Sequence, residues 1–126
     1  MSDTFGEPAT LPVKQIWKDV TARIVQSELI TMAIVELPPN SVVPAHQHVN
    51  EQLGFVISGS LRFTVGGETR ERGPGDTWRI LADVPHEVTV GPEGAVVAEV
   101  YSPVRADWAA LPDQPARPSA WPPTGS

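Results

Sequence analysis

The stretch Pro44-Ala45-His46-Gln47-His48-Val49-Asn50-Glu51-Gln52-Leu53-Gly54-Phe55-Val56-Ile57-Ser58-Gly59 decides how the rest of the chain is read. His46 and His48 stand two apart in strand-like sequence, and side chains at that spacing on a strand point to one face, so two imidazoles converge. If the following run is also extended, Gln52, Gly54 and Val56 share a face and Glu51 turns to the opposite one. The remaining histidine, His86, follows Pro85 and begins the alternation His86-Glu87-Val88-Thr89-Val90, which predicts that it faces inward with Val88 and Val90. Neutral imidazole is the commonest biological ligand for late first-row metals, and an amide oxygen can complete a mixed nitrogen and oxygen set. His46, His48, Gln52 and His86 are therefore the expected ligands of one divalent ion. A His-x-His pair alone is as ordinary on a surface or in a core, and its weight comes from the surrounding pattern.

Outward from this stretch the chain reads as short strands in close succession, at 13–17, 22–26, 29–37, 42–48, 52–57, 60–65, 68–72, 77–81, 86–90 and 95–101. Turn signals separate them: Pro38-Pro39-Asn40, Gly66-Gly67, Gly73-Pro74-Gly75 and Gly91-Pro92-Glu93-Gly94. Such punctuation predicts an all-β sandwich or barrel, with Gly66-Gly67 closing a hairpin. By alternation Arg23, Arg62 and Arg79 are expected to face solvent, and Trp17 and Trp78 to serve barrel or dimer packing. Residues 1–12 read as an N-terminal arm, 13–108 as the barrel domain and 109–126 as a Pro-rich tail in which Pro112, Pro115, Pro118, Pro122 and Pro123 oppose regular structure. A short helical turn over Asp107-Trp108-Ala109-Ala110-Leu111 precedes Pro112. Trp108, Leu111 and Trp121 either pin the tail to the barrel or to a second subunit, or belong to a disordered tail.

At 126 residues and 40% hydrophobic content the chain can bury one core, so a single domain is expected. The absence of Cys removes disulfides, thiolate nucleophiles and Cys-based zinc sites. The polar start Met1-Ser2-Asp3-Thr4-Phe5-Gly6-Glu7 does not read as a signal peptide, and no run approaches a membrane span, so a cytoplasmic location is expected. A formal net charge of −6 with scattered Lys and Arg argues against nucleic acid as partner. Neither a glycine-rich phosphate loop nor a Ser-centred nucleophile motif occurs.

The run from Asn40 to Gly59 resembles the first motif of the cupin family, in which a Gly precedes His-x-His, then a Glu, then a closing Gly. Asn40 stands at the first Gly, Gln52 at the Glu and Gly59 at the end. Asn tolerates left-handed backbone angles better than other non-Gly residues, so the first replacement is mild. The segment from Gly75-Asp76 to Pro85-His86 resembles the second cupin motif. Leu81 and Asp83 replace its Pro and inner Gly, and Val90 stands at its final Asn, while the ligand position His86 is kept. The resemblance implies a double-stranded β-helix, or jelly roll. Together the two motifs cover about two-fifths of the chain.

Gln52 sets the chemistry. A Glu ligand would cancel one positive charge of a divalent ion, whereas three His and one Gln leave both, a stronger Lewis acid that favours anionic substrates. Mn, Fe, Co, Ni or Zn would each accept these ligands and keep an open position. On the last strand, Glu99-Val100-Tyr101-Ser102-Pro103-Val104-Arg105 adds to the likeness to small single-domain bacterial cupins of the KdgF kind, associated with linearising unsaturated uronates. In that group an acid, an aromatic and an arginine line the pocket, and Glu99, Tyr101 and Arg105 match them in type and order, with Glu where Asp is usual. The resemblance thus implies Glu99 and Tyr101 as catalytic residues and Arg105 as a carboxylate clamp. The alternative is that Arg105 pairs with Asp107 or Glu99 at the surface and Tyr101 packs as a strand aromatic.

Three functions follow, in order. The first is metal-dependent isomerase or lyase chemistry on a small oxygenated, anionic metabolite such as a sugar acid or keto acid. The second is an Fe(II)-dependent dioxygenase, and the third a non-catalytic metal and small-molecule binding module. An open barrel edge and apolar segments such as 29–37 predict a homodimer.

Overall fold

Along Thr31-Met32-Ala33-Ile34-Val35-Glu36-Leu37 every second side chain is buried, the period of a strand with one face on a core. The same rule builds eight strands in a computed structural model that describes residues 4–115 and 119–122: β1 (Val13–Trp17), β2 (Val20–Gln26), β3 (Thr31–Leu37), β4 (Val42–His46), β5 (Glu51–Val65), β6 (Glu68–Arg72), β7 (Thr77–Ile80) and β8 (His86–Ser102). One helical turn, α1 (Ala106–Ala109), follows β8. The first residues of the expected arm, 1–3, and parts of the expected tail, 116–118 and 123–126, lie outside the described residues.

All strand pairs are antiparallel. One layer runs β1-β2-β3, then the second half of β8, the first half of β5, and β7. The other runs β4, the first half of β8, the second half of β5, and β6. Two layers sharing their two longest strands form a jelly roll, as expected. Between them lie Val20, Val56, Leu61 and Ile80, each at most 2% exposed. Burial of such a side chain contributes on the order of 1.5–3 kcal/mol. The outer face of the first layer exposes Met32, Leu53 and Phe55.

The stretches read from sequence as four strands, 52–57 with 60–65 and 86–90 with 95–101, are two continuous ones. Each crosses from one layer to the other at a shared corner where the register slips. On β5 the inward positions are Gln52 and Val56, then Leu61 and Phe63; on β8 they are His86, Val88 and Val90, then Val97, Glu99 and Tyr101. Inward positions therefore change from even to odd numbers on both strands. Gly59 and Gly94 hold this corner with φ of 80° and 78°. A Cβ on Gly59 would overlap the Gly94 carbonyl oxygen. Asn40, at the first Gly position of the motif, has φ 61°, which its side chain tolerates.

Three further expectations need correction. Arg23 is 2% exposed rather than solvent-facing, because the arm crosses the outer face of β2: its Nη1 donates to the Pro8 carbonyl at 3.2 Å and its Nε lies 3.7 Å from Glu36 Oε2. Strand β4 ends at His46, not His48, because the chain turns toward Asn50. The expected helical turn starts one residue earlier, at Ala106. Part of the C-terminal segment lies along β1. The nearly buried Lys14 ammonium donates to the Leu111 carbonyl and pairs with Asp113, both at 2.6 Å, and Gln114 N–H donates to the Val13 carbonyl at 2.8 Å. Among the described residues no helix is long and apolar enough to cross a membrane.

Candidate metal centre

Strand pairing sets His46, the last residue of β4, opposite His86, the first of β8. Their ring centroids are 4.2 Å apart. His48 reaches the same point from the turn after β4, 4.9 Å from the His86 ring. The turn is tied down by backbone and side chain: Asp83 N–H donates to the His48 carbonyl at 2.8 Å, and the buried Asn50 amide donates to the Pro103 and Val104 carbonyls at 2.5 and 3.3 Å. The ligand atoms of the three histidines lie within 4.8 Å of one another.

Each imidazole has one nitrogen committed to the backbone. Nδ1 lies 2.9 Å from the Pro44 carbonyl in His46, 3.0 Å from the Asn50 carbonyl in His48, and 2.9 Å from the Val84 carbonyl in His86. A carbonyl only accepts, so Nδ1 carries the proton and Nε2 keeps its lone pair in all three neutral rings. Such backbone anchoring of the distal ring nitrogen is what orients metal-bound histidines. The buried Nε2 of His86 finds no hydrogen-bond partner among the described residues. The Oε1 of Gln52 lies 3.1 Å from His48 Nε2, so two lone-pair acceptors face one another. An orphaned buried nitrogen and two opposed acceptors are the arrangement that a cation resolves, and the donor set suits a divalent transition metal.

Electrostatics favour the same form. Burial, with the nearby charges of His46, His48 and Arg105, outweighs the Val84 carbonyl and lowers His86 to about 4. His48 is also lowered, first by burial and then by Arg105. Glu51 is exposed on the outer face, as alternation predicts, and Gln52 is 4% exposed on the inner one.

Above the imidazoles, the carboxylate of Glu99 is surrounded by donors. Oε2 accepts from Trp78 Nε1 at 3.0 Å and from Gln52 Nε2, and Oε1 accepts from the Tyr101 hydroxyl at 3.0 Å. Burial pushes Glu99 above the usual carboxylate range against the pull of these donors, and holds the Tyr101 phenol well above 10. The Arg105 guanidinium stacks 4.1 Å from the Trp108 ring centroid and 5.0 Å from that of Tyr101. Its Nε and Nη2 donate to the two Asp107 oxygens at 3.0 and 2.9 Å. Arg105 thus pairs with Asp107, and it also lines the cavity shared by His46, His48, His86, Gln52 and Glu99. That cavity is narrow, about 50 Å³, the room of a few water molecules.

Two lining residues escaped the sequence reading, Trp17 and Trp78. The Trp17 ring packs 4.9 Å from that of His46, and Trp78 binds Glu99. Trp78 has the same parity as the fully buried Ile80 on β7, and that was the available signal.

The cupin domain family matches residues 33–101. The pectin degradation protein KdgF of Dickeya dadantii (strain 3937) is 26% identical over 99 residues, spanning 77% of this chain and 90% of that protein. The structure is similar to an RmlC-like cupin from Shewanella frigidimarina NCIMB 400, with a TM-score of 0.78, 19% identity, and coverage of 84% of this chain and 96% of that one. It is also similar to KdgF from Halomonas sp., with a TM-score of 0.75, 23% identity, and coverage of 82% and 96%.

Proposed function

Because the chain belongs to the cupin domain family, we propose that it is a metal-dependent enzyme that isomerises or cleaves a small oxygenated acid, with an unsaturated uronate or a keto acid as the substrate class. The observation that carries this reading is the convergence of the three imidazoles with the Gln52 carbonyl oxygen in a cavity that Arg105 also lines. His46, His48, His86 and Gln52 would hold the ion. A divalent ion bound there supplies Lewis acidity toward a substrate oxygen.

The remaining steps belong to side chains. Asp107 occupies the Nε and Nη2 donors of Arg105, so Nη1 is the group available to a substrate carboxylate in the cavity that Arg105 lines. Stacking on Trp108 and Tyr101 fixes the guanidinium plane, which reduces the entropy lost on binding. Glu99 Oε1 and the Tyr101 hydroxyl share one hydrogen bond and act as the proton-holding pair. A carboxyl whose pKa is raised by burial holds a proton more readily than an exposed one, which suits it to moving a proton between carbon and oxygen. The similarity to a protein named for pectin degradation supports a sugar acid as the first substrate to test. In a cavity this narrow the reacting end of the acid enters and the remainder stays outside.

Elemental analysis of purified protein, followed by an aerobic and anaerobic screen of unsaturated uronates, keto acids and small dicarboxylates, tests the reading. Expected are one transition metal per chain, its loss in His48→Ala, and turnover under argon. Stoichiometric metal in His48→Ala would refute the ligand assignment. Turnover that consumes oxygen would replace isomerisation with dioxygenation.

A further inference from the structure

An amide side chain is a metal ligand only when its oxygen faces the ion, and nothing intrinsic to glutamine selects that orientation over its flipped form. Around Gln52 the selection comes from one side. Gln52 Nε2 donates to Glu99 Oε2, which sends Oε1 toward His48 Nε2 at 3.1 Å. A carboxylate only accepts, so a flipped amide would set oxygen against oxygen and turn an NH₂ toward the histidines. Glu99 is itself held, since its Oε2 also accepts from Trp78 Nε1 at 3.0 Å. The indole lies there because position 54 has no side chain: a Cβ on Gly54 would stand 2.6 Å from its Cε2 and Nε1. Gly54, Trp78, Glu99 and Gln52 form one column, carried by β5, β7 and β8, that ends on the histidines.

We propose that Glu99, anchored by Trp78 over Gly54, is a positioning residue that locks the Gln52 amide with its oxygen toward the histidine nitrogens and so makes Gln52 a metal ligand. The inference rests on the metal-centre reading above and adds to Glu99 a role independent of proton transfer. It explains how an amide can stand where an acidic ligand needs no such guide: the carboxylate sits one step further from the ion and donates orientation instead of charge.

The test is Co²⁺ titration of the metal-free protein, read by affinity in competition with a chelator and by visible absorption, which reports coordination number. Glu99→Gln is nearly isosteric and leaves the amide free to take either orientation. It is expected to weaken Co²⁺ binding by roughly 10–100-fold, with an absorption spectrum that has lost an oxygen donor. Trp78→Phe keeps every charge and the ring but removes the N–H, and is expected to weaken binding in the same direction by a smaller factor. That separates orientation from simple loss of negative charge. Wild-type protein that binds no Co²⁺ would overturn the metal-centre reading and this inference with it. Wild-type binding with an unchanged Glu99→Gln spectrum, or with Trp78→Phe at wild-type affinity, would overturn this inference alone.

Discussion

Acidifying the metal-free protein from pH 7 to pH 5 should cost about 2 kcal/mol through His86 alone. The figure follows from its surroundings: the side chain is 4% exposed, its Nε2 has no acceptor among the described residues, and His46, His48 and Arg105 add positive charge nearby. A folded-state value of about 4 against the usual 6.5 means that the unfolded chain binds more protons between those values. Stability is therefore complete above pH 6.5 and falls as the pH drops through that window toward 4. The lowered His48 acts in the same direction. Urea unfolding with a chelator present, at both pH values, measures the loss. In His86→Gln the loss should be smaller by about 2 kcal/mol, since every other titrating group is common to both proteins. Equal losses in the two proteins would refute the argument that His86 is kept neutral, and thereby ready to act as a ligand, by its burial.

Arg105→Ala should raise KM for a carboxylate substrate about tenfold or more while metal content by elemental analysis stays at the wild-type level, because the guanidinium lines the cavity, held by Asp107 and Trp108, without being one of the ligands. Gly59→Ala should lower stability by about 3 kcal/mol in thermal or urea unfolding, since both its positive φ and the adjoining Gly94 carbonyl reject a Cβ. Asn40→Gly should shift stability by less than about 1 kcal/mol and Asn40→Val should lower it by about 1–2 kcal/mol, because φ 61° suits the first and strains the second.

Alternation made the site legible. The inward faces of Gln52 and His86 and the outward face of Glu51 follow from period two, and the structure agrees at each. His48 reached the site by another route, as a turn anchored by Asn50 and not as an extension of β4. Arg23 misled because parity says only that a side chain leaves the core, not that water lies beyond it; the arm at Pro8 covers that face. The glycines at 91 and 94 read as a break between strands, yet sequence cannot distinguish a turn that ends a strand from a corner that passes it to another layer. Trp78 was assigned to packing because its indole N–H partner, Glu99, comes from a strand distant in sequence.

The corner at Gly59 and Gly94 has a consequence for how such a chain tolerates length changes. Each long strand carries one group of working residues before the corner and another set after it, in opposite phase, so Gln52 and Leu61, or His86 and Glu99, both look inward only while the slip is kept. A one-residue deletion there would invert everything on one side, exporting either the chelating half or the acid-bearing half to solvent. This junction, like the anchored turn that carries His48, must therefore be inherited whole.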